Sequence, residues 1–172
     1  MLRTLFGWAL CALVLGAGLI LAGAKAPANA LEEEGPPKTA LKEGERTLQK
    51  GRQGSYCWPM GPGSGACADY APRFPDVDRV ARGSELKVRI LEPQRPRSFE
   101  LTAYRRVDNN DYPMGEGQSV PFDWRRVARN GKTVAWDAVF EVGQPDRHYY
   151  MDGFGVWRKG DSSWYFHVKT GA

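Results

Sequence analysis

Two cysteines in the stretch GSYCWPMGPGSGACADY, Cys57 and Cys67, are the residues of this chain whose type and spacing come nearest to chemistry. Nine residues lie between them, so they form no C-x-x-C redox pair. As zinc ligands they would need two more partners, and His148 and His167, the only histidines, lack paired ligand spacing. A blue-copper site would need a free thiolate besides two histidines. The remaining cysteine, Cys11, belongs to an apolar N-terminal run, which leaves an even pair downstream. In an exported chain such a pair forms a disulfide, and the bridge would consume the thiolate. The chain-entropy model assigns a loop this short roughly 2.5–3 kcal/mol of stabilisation.

Other candidates are weaker. An EF-hand beginning at Asp108 would want glycine and glutamate where Pro113 and Ser119 stand, so the run Asp108-Asn109-Asn110-Asp111 reads as a turn. Ser84, Ser119 and Ser163 sit in no G-x-S-x-G context. The carboxylate pairs Asp76/Asp78 and Asp137/Glu141 fall in turn or strand patterns. No catalytic set, metal or cofactor is expected. The alternative is a metal-dependent or hydrolytic extracytoplasmic enzyme using the Cys57/Cys67 region.

Aromatic and basic side chains are in surplus. Trp58, Tyr149, Trp157 and Tyr165 are the candidates for an exposed aromatic binding surface, with Arg125 and Arg129 from a run of closely spaced arginines. Such a surface suits an envelope glycan, an anionic lipid or another envelope protein. Each residue also has a bland role: the aromatics as core, the arginines as a solvated strand face.

The elements that must position these residues are strands. Glu85–Leu91 (ELKVRIL) and Ser98–Asp108 (SFELTAYRRVD) alternate apolar and polar side chains, the period of a half-buried strand. Asn130-Gly131 predicts a type I′ hairpin turn, pairing Arg129 with Lys132, Ala128 with Thr133 and Val127 with Val134. A second hairpin joins His148–Arg158 to Ser162–Thr170, with Trp164, Phe166 and Val168 inward and Tyr165 and His167 outward. The expected fold is all-β, an antiparallel immunoglobulin-like β-sandwich of about seven or eight strands. Tyr149 or Tyr150 stands where a tyrosine corner would sit.

Ahead of the strands, residues 6–24 (FGWALCALVLGAGLILAGA) are uncharged, follow Arg3, and precede an A-x-A pattern at Ala28 and Ala30. Residues 1–30 therefore read as a signal peptide or an N-terminal membrane-anchor helix, residues 31–50 as a charged linker and residues 51–172 as the β domain. If uncleaved, residues 6–24 tether the domain to a membrane. Without residues 1–30, 22 basic and 20 acidic side chains remain, a net charge of +2. That balance, like export itself, argues against a nucleic-acid partner.

The GSYCW…CADY pair, with PDRHY and WRKGDSSWYFHV in the closing half, resembles a group of exported or membrane-anchored bacterial proteins carrying a small immunoglobulin-like β domain. The likeness covers roughly residues 50–170 and implies export and a β-rich fold. It carries no activity. The expected function is that of an extracytoplasmic, non-catalytic binding or structural envelope module.

Overall fold

The computed structural model describes residues 35–61 and 63–171. Residues 1–30, which the sequence leads one to expect as a signal peptide or anchor, lie outside the described residues. Fourteen strands follow in chain order: β1 (Thr39–Glu43), β2 (Arg46–Lys50), β3 (Arg52–Gly61), β4 (Ser64–Ala68), β5 (Asp78–Val80), β6 (Ser84–Ile90) and β7 (Ser98–Tyr104). The second half contains β8 (Arg106–Val107), β9 (Pro113–Met114), β10 (Gln118–Ser119), β11 (Asp123–Arg129), β12 (Lys132–Val142), β13 (His148–Val156) and β14 (Asp161–Thr170). One sheet has the order β11-β12-β6-β1-β2; a second has β10-β7-β13-β14-β3-β4, with β5 also on β14; β8 and β9 form a separate ribbon. Every pairing is antiparallel except β5 with β14.

Period-two alternation builds the core. Leu86, Val88 and Ile90 of β6 and Ala138, Phe140 and Val142 of β12 point inward from the first sheet. Leu101 of β7, Met151 of β13 and Trp164, Phe166 and Val168 of β14 meet them from the second. The two sheets thus enclose one apolar interior in a sandwich-like arrangement. The outer face of the first sheet is closed differently, by charge. Arg89 grips Asp137 with two 2.8 Å hydrogen bonds, and Lys87 and Lys42 both reach Glu45. The Lys87 and Lys42 ammoniums hold the Glu45 carboxyl down to about 2.

Three expectations change. The seven or eight strands become fourteen, because two-residue pieces and edge hairpins carry too little pattern to be read. Residues 39–50, assigned to the linker, form the β1–β2 hairpin: Leu41 is fully buried and Leu48 packs on the core, two apolar side chains hidden among charges. The Asn130-Gly131 turn forms with φ of 50° and 76° and pairs Arg129 with Lys132 and Ala128 with Thr133. Beyond it, Val127 faces Ala135 instead of Val134, because a bulge inserts Val134 as an extra, exposed residue.

Strand β14 is the hub. Along its whole length it pairs with β13. Along its other edge it pairs first with β3, through Tyr165↔Arg52, and then with β5, from Val168↔Asp78. The backbone of His167 falls between these partners. There the side-chain amide of Gln49 substitutes for a strand: Oε1 accepts from the His167 N–H at 2.9 Å, and Nε2 donates to the His167 carbonyl and to the Asp76 carbonyl. Gln49 is itself buried.

Removing this amide leaves two buried backbone groups unsatisfied, each costing about 1–3 kcal/mol. Gln49→Ala is therefore expected to lose about 2–4 kcal/mol in urea denaturation, with an unchanged m-value. A loss below about 1 kcal/mol would show that water replaces the amide and that the rung is dispensable.

Candidate functional site

The bridge expected from the sequence is present. Cys57 on β3 and Cys67 on β4 are register partners, with Cα atoms 4.0 Å apart and the sulfurs bonded at 2.08 Å. Both cysteines are solvent-exposed. Such a bond persists in oxidising surroundings, of the kind found outside the cytoplasm. Gly61 and Gly63, at φ of 139° and 74°, flank the turn that brings the two strands side by side.

The proposed aromatic surface is not a surface. Trp58, Tyr149, Trp157 and Tyr165 are only 4%, 8%, 3% and 6% exposed. Trp58 meets Trp157 edge-on at 5.4 Å, Trp157 meets Trp164 at 5.9 Å, and the Lys159 ammonium lies 4.9 Å above Trp58. Trp58 is therefore the packing cover beside the disulfide. Tyr149 faces the same interior. Its hydroxyl accepts from the Gln144 N–H at 3.1 Å, five residues upstream, as a tyrosine-corner residue reaches back to its own chain. Arg125 and Arg129 are exposed, yet they lie on the other sheet, where Arg125 forms a bidentate pair with Glu85 at 2.9 Å. The six residues do not converge. Burial of the aromatics is worth more than their display, because each removes a large ring from water.

What the fold does assemble is a polar–aromatic cluster on the outer face of the second sheet. Register places Tyr104, Tyr150 and His167 in one row and Thr102, Asp152 and Tyr165 in the next. The segment 71–77 lies across them: Phe74 meets Tyr150 and Tyr165 edge-on, both at 5.2 Å. Gly54 beneath is required, since a Cβ there would strike the Tyr165 ring and Ser163 Oγ. His167 Nδ1 lies 3.3 Å from the Pro75 carbonyl, and its Nε2 lies 2.9 Å from His148 Nδ1. A carbonyl can only accept, so His167 carries its proton on Nδ1, and His148 donates from Nδ1 to the free Nε2. Tyr150 stacks on the His167 ring at 4.0 Å.

The electrostatics follow from this cover. Burial lowers the His167 imidazole below its ordinary value, opposed by the Pro75 carbonyl and by Asp111. Burial pushes the Asp152 carboxyl up to about 6, and its Oδ1 has no hydrogen-bond partner. Burial, reinforced by the Asp152 charge, pushes the Tyr165 phenol up to about 12 and raises that of Tyr104. Among the described residues no group of three or more His, Cys, Asp or Glu side chains is placed to hold a metal ion.

Beside the cluster runs a groove of about 470 Å³, lined by residues 71–73 and 109–112. Its second wall is the hydrogen-bonded loop at the end of the β8–β9 ribbon. The Asp108 carboxylate accepts from the N–H groups of Asn110 and Tyr112 at 2.8 and 2.9 Å, and Asp111 sits at φ 65°. The turn reading of this run is thus borne out. Arg73, Asn109, Asn110 and Tyr112 are exposed at the groove. The pairing of Arg73 and Tyr112 with this turn carries no signal in the sequence, because loop residues from distant segments share no periodicity, and Asp152 on β13 was not singled out either. The one visible signal was a lone acid on the alternate face of YYMDGF.

Comparison with known proteins finds no matching family model, no matching curated protein and no matching solved structure.

The raised Asp152 carboxyl has a definite pH signature. Its folded value lies above the unfolded one, so its contribution is present below about pH 4 and is lost as pH rises through about 6. His167 has the opposite sign: its contribution is present above its ordinary value and falls as pH drops through the lowered folded value. Asp152→Asn is expected to gain up to about 2–3 kcal/mol on wild type between pH 4 and 7.5, measured by denaturation across that range. A difference independent of pH would contradict the burial of the charge.

Proposed function

We propose that this chain is an extracytoplasmic, non-catalytic binding module with an immunoglobulin-like β-sandwich, directed to the envelope by residues 1–30 as signal peptide or anchor. Its ligand is an envelope glycan, taken in the groove between residues 71–73 and 109–112. The carrying observation is the groove's lining. Tyr112, half exposed, offers an apolar ring face to the C–H face of a sugar. Asn109, Asn110, Asp111 and Arg73 offer planar donors and acceptors for vicinal hydroxyls. The Asp108 turn holds one wall in place before a ligand arrives, which lowers the entropic cost of binding.

The exposed disulfide and the absence of free sulfur at Cys57 and Cys67 support the same reading. An enzyme built on these cysteines would need a thiolate as ligand or nucleophile, and the bridge consumes both. The Tyr149–Gln144 contact and the two facing sheets support the immunoglobulin-like assignment.

The test is calorimetric titration of the folded chain with soluble fragments of envelope glycan. Saturable binding is expected, with Tyr112→Ala weakening it about fivefold or more while the melting temperature stays unchanged. No heat of binding with any fragment at millimolar concentration, or full affinity in Tyr112→Ala, would overturn the proposal.

A further inference from the structure

A second concavity opens where the chain passes from β12 to β13, between the two sheets. It encloses about 300 Å³. Its floor is core: Ala103, Phe140, Val142 and Met151, all buried. Its rim is polar, with Gln118, Ser119, Glu141 and Gln144 exposed.

One cation lines this cleft, Arg147, and its contacts are incomplete. Nη2 donates to Gln118 Oε1 at 2.8 Å, and the guanidinium lies 5.0 Å from the centre of the Tyr149 ring. Nε is buried and has no hydrogen-bond partner. Arg147 forms no ion pair among the described residues; the nearby Lys169 pairs with Asp146 instead. A partly buried, unpaired guanidinium is costly unless an anion satisfies it. Its planar, permanently charged guanidinium matches a carboxylate, which can accept from the Nη groups.

We propose that this cleft is a binding site for a small carboxylate-headed amphiphile, with its carboxylate on Arg147 and its alkyl chain over Ala103, Phe140 and Met151. The charge selects the head, and the core floor selects the tail. The volume is at the small end for ligand pockets, which favours short, unbranched chains. The site shares no residue with the glycan groove, so either proposal can fail while the other stands.

The experiment is a titration of the ¹⁵N-labelled full chain with octanoate, octanol and octylamine, followed by amide shifts. Octanoate is expected to give saturable shifts at Ala103, Phe140, Met151 and Arg147, while octylamine gives none. Each methylene added between butanoate and octanoate should tighten binding about three- to fourfold. Arg147→Gln should weaken octanoate about tenfold or more and leave octanol unaffected. If that variant fails to fold, the unaltered chain decides the point: octanol binding as tightly as octanoate overturns the proposal. So does an absence of shifts at the cleft residues, or unchanged octanoate affinity in folded Arg147→Gln.

Discussion

Strand β14 must be covered on both faces and paired on both edges, and most of the molecule is arranged to do this. Its inner face, Trp164, Phe166 and Val168, is core. Its outer face, Ser163, Tyr165 and His167, is nearly as buried, which a two-layer sandwich alone cannot achieve. The segment 71–77 supplies the missing layer, held by Phe74 on the tyrosines and by the Pro75 and Asp76 carbonyls. The Gln49 amide then fills the gap at His167 in the strand's hydrogen bonding. Residues from β2, the 71–77 segment and β14 are thereby locked together across long stretches of chain.

This cover explains the charge pattern beneath it. Asp152 is largely buried and its Oδ1 has no hydrogen-bond partner, so burial shifts its carboxyl toward the neutral form and the neighbouring phenols resist ionisation. A perturbed carboxyl often marks a reactive site. Here it shares its sheet face with the tyrosines that Phe74 packs against, whereas two concavities open to solvent lie elsewhere, at the 109–112 loop and at the mouth between the sheets.

Much of the fold was legible because alternation is a strong signal. Leu86, Val88 and Ile90, the Asn130-Gly131 turn and the inward set of β14 all lie where the period places them. The disulfide followed from counting cysteines. The hairpin at residues 39–50 did not, because its charged majority masks Leu41 and Leu48, whose partners lie far along the chain. The site was the least legible part. An outward-facing aromatic on β14 implies an exposed surface only if nothing covers it, and a featureless Pro-rich segment gave no sign that it would. Gln49 looked like a surface residue for the same reason: its partner is the backbone of a residue 118 positions away.

Whether the aromatic outer face is sealed is the point on which the account rests, and native-state hydrogen exchange at the His167 amide measures it directly. A sealed face predicts that this amide exchanges only through global unfolding, with an opening energy equal to that of the slowest core amides and the full denaturant dependence of unfolding. Exchange at a markedly lower opening energy, with little denaturant dependence, would show that residues 71–77 lift away locally. That result would contradict the account and return Tyr165 and its neighbours to the role of an accessible surface.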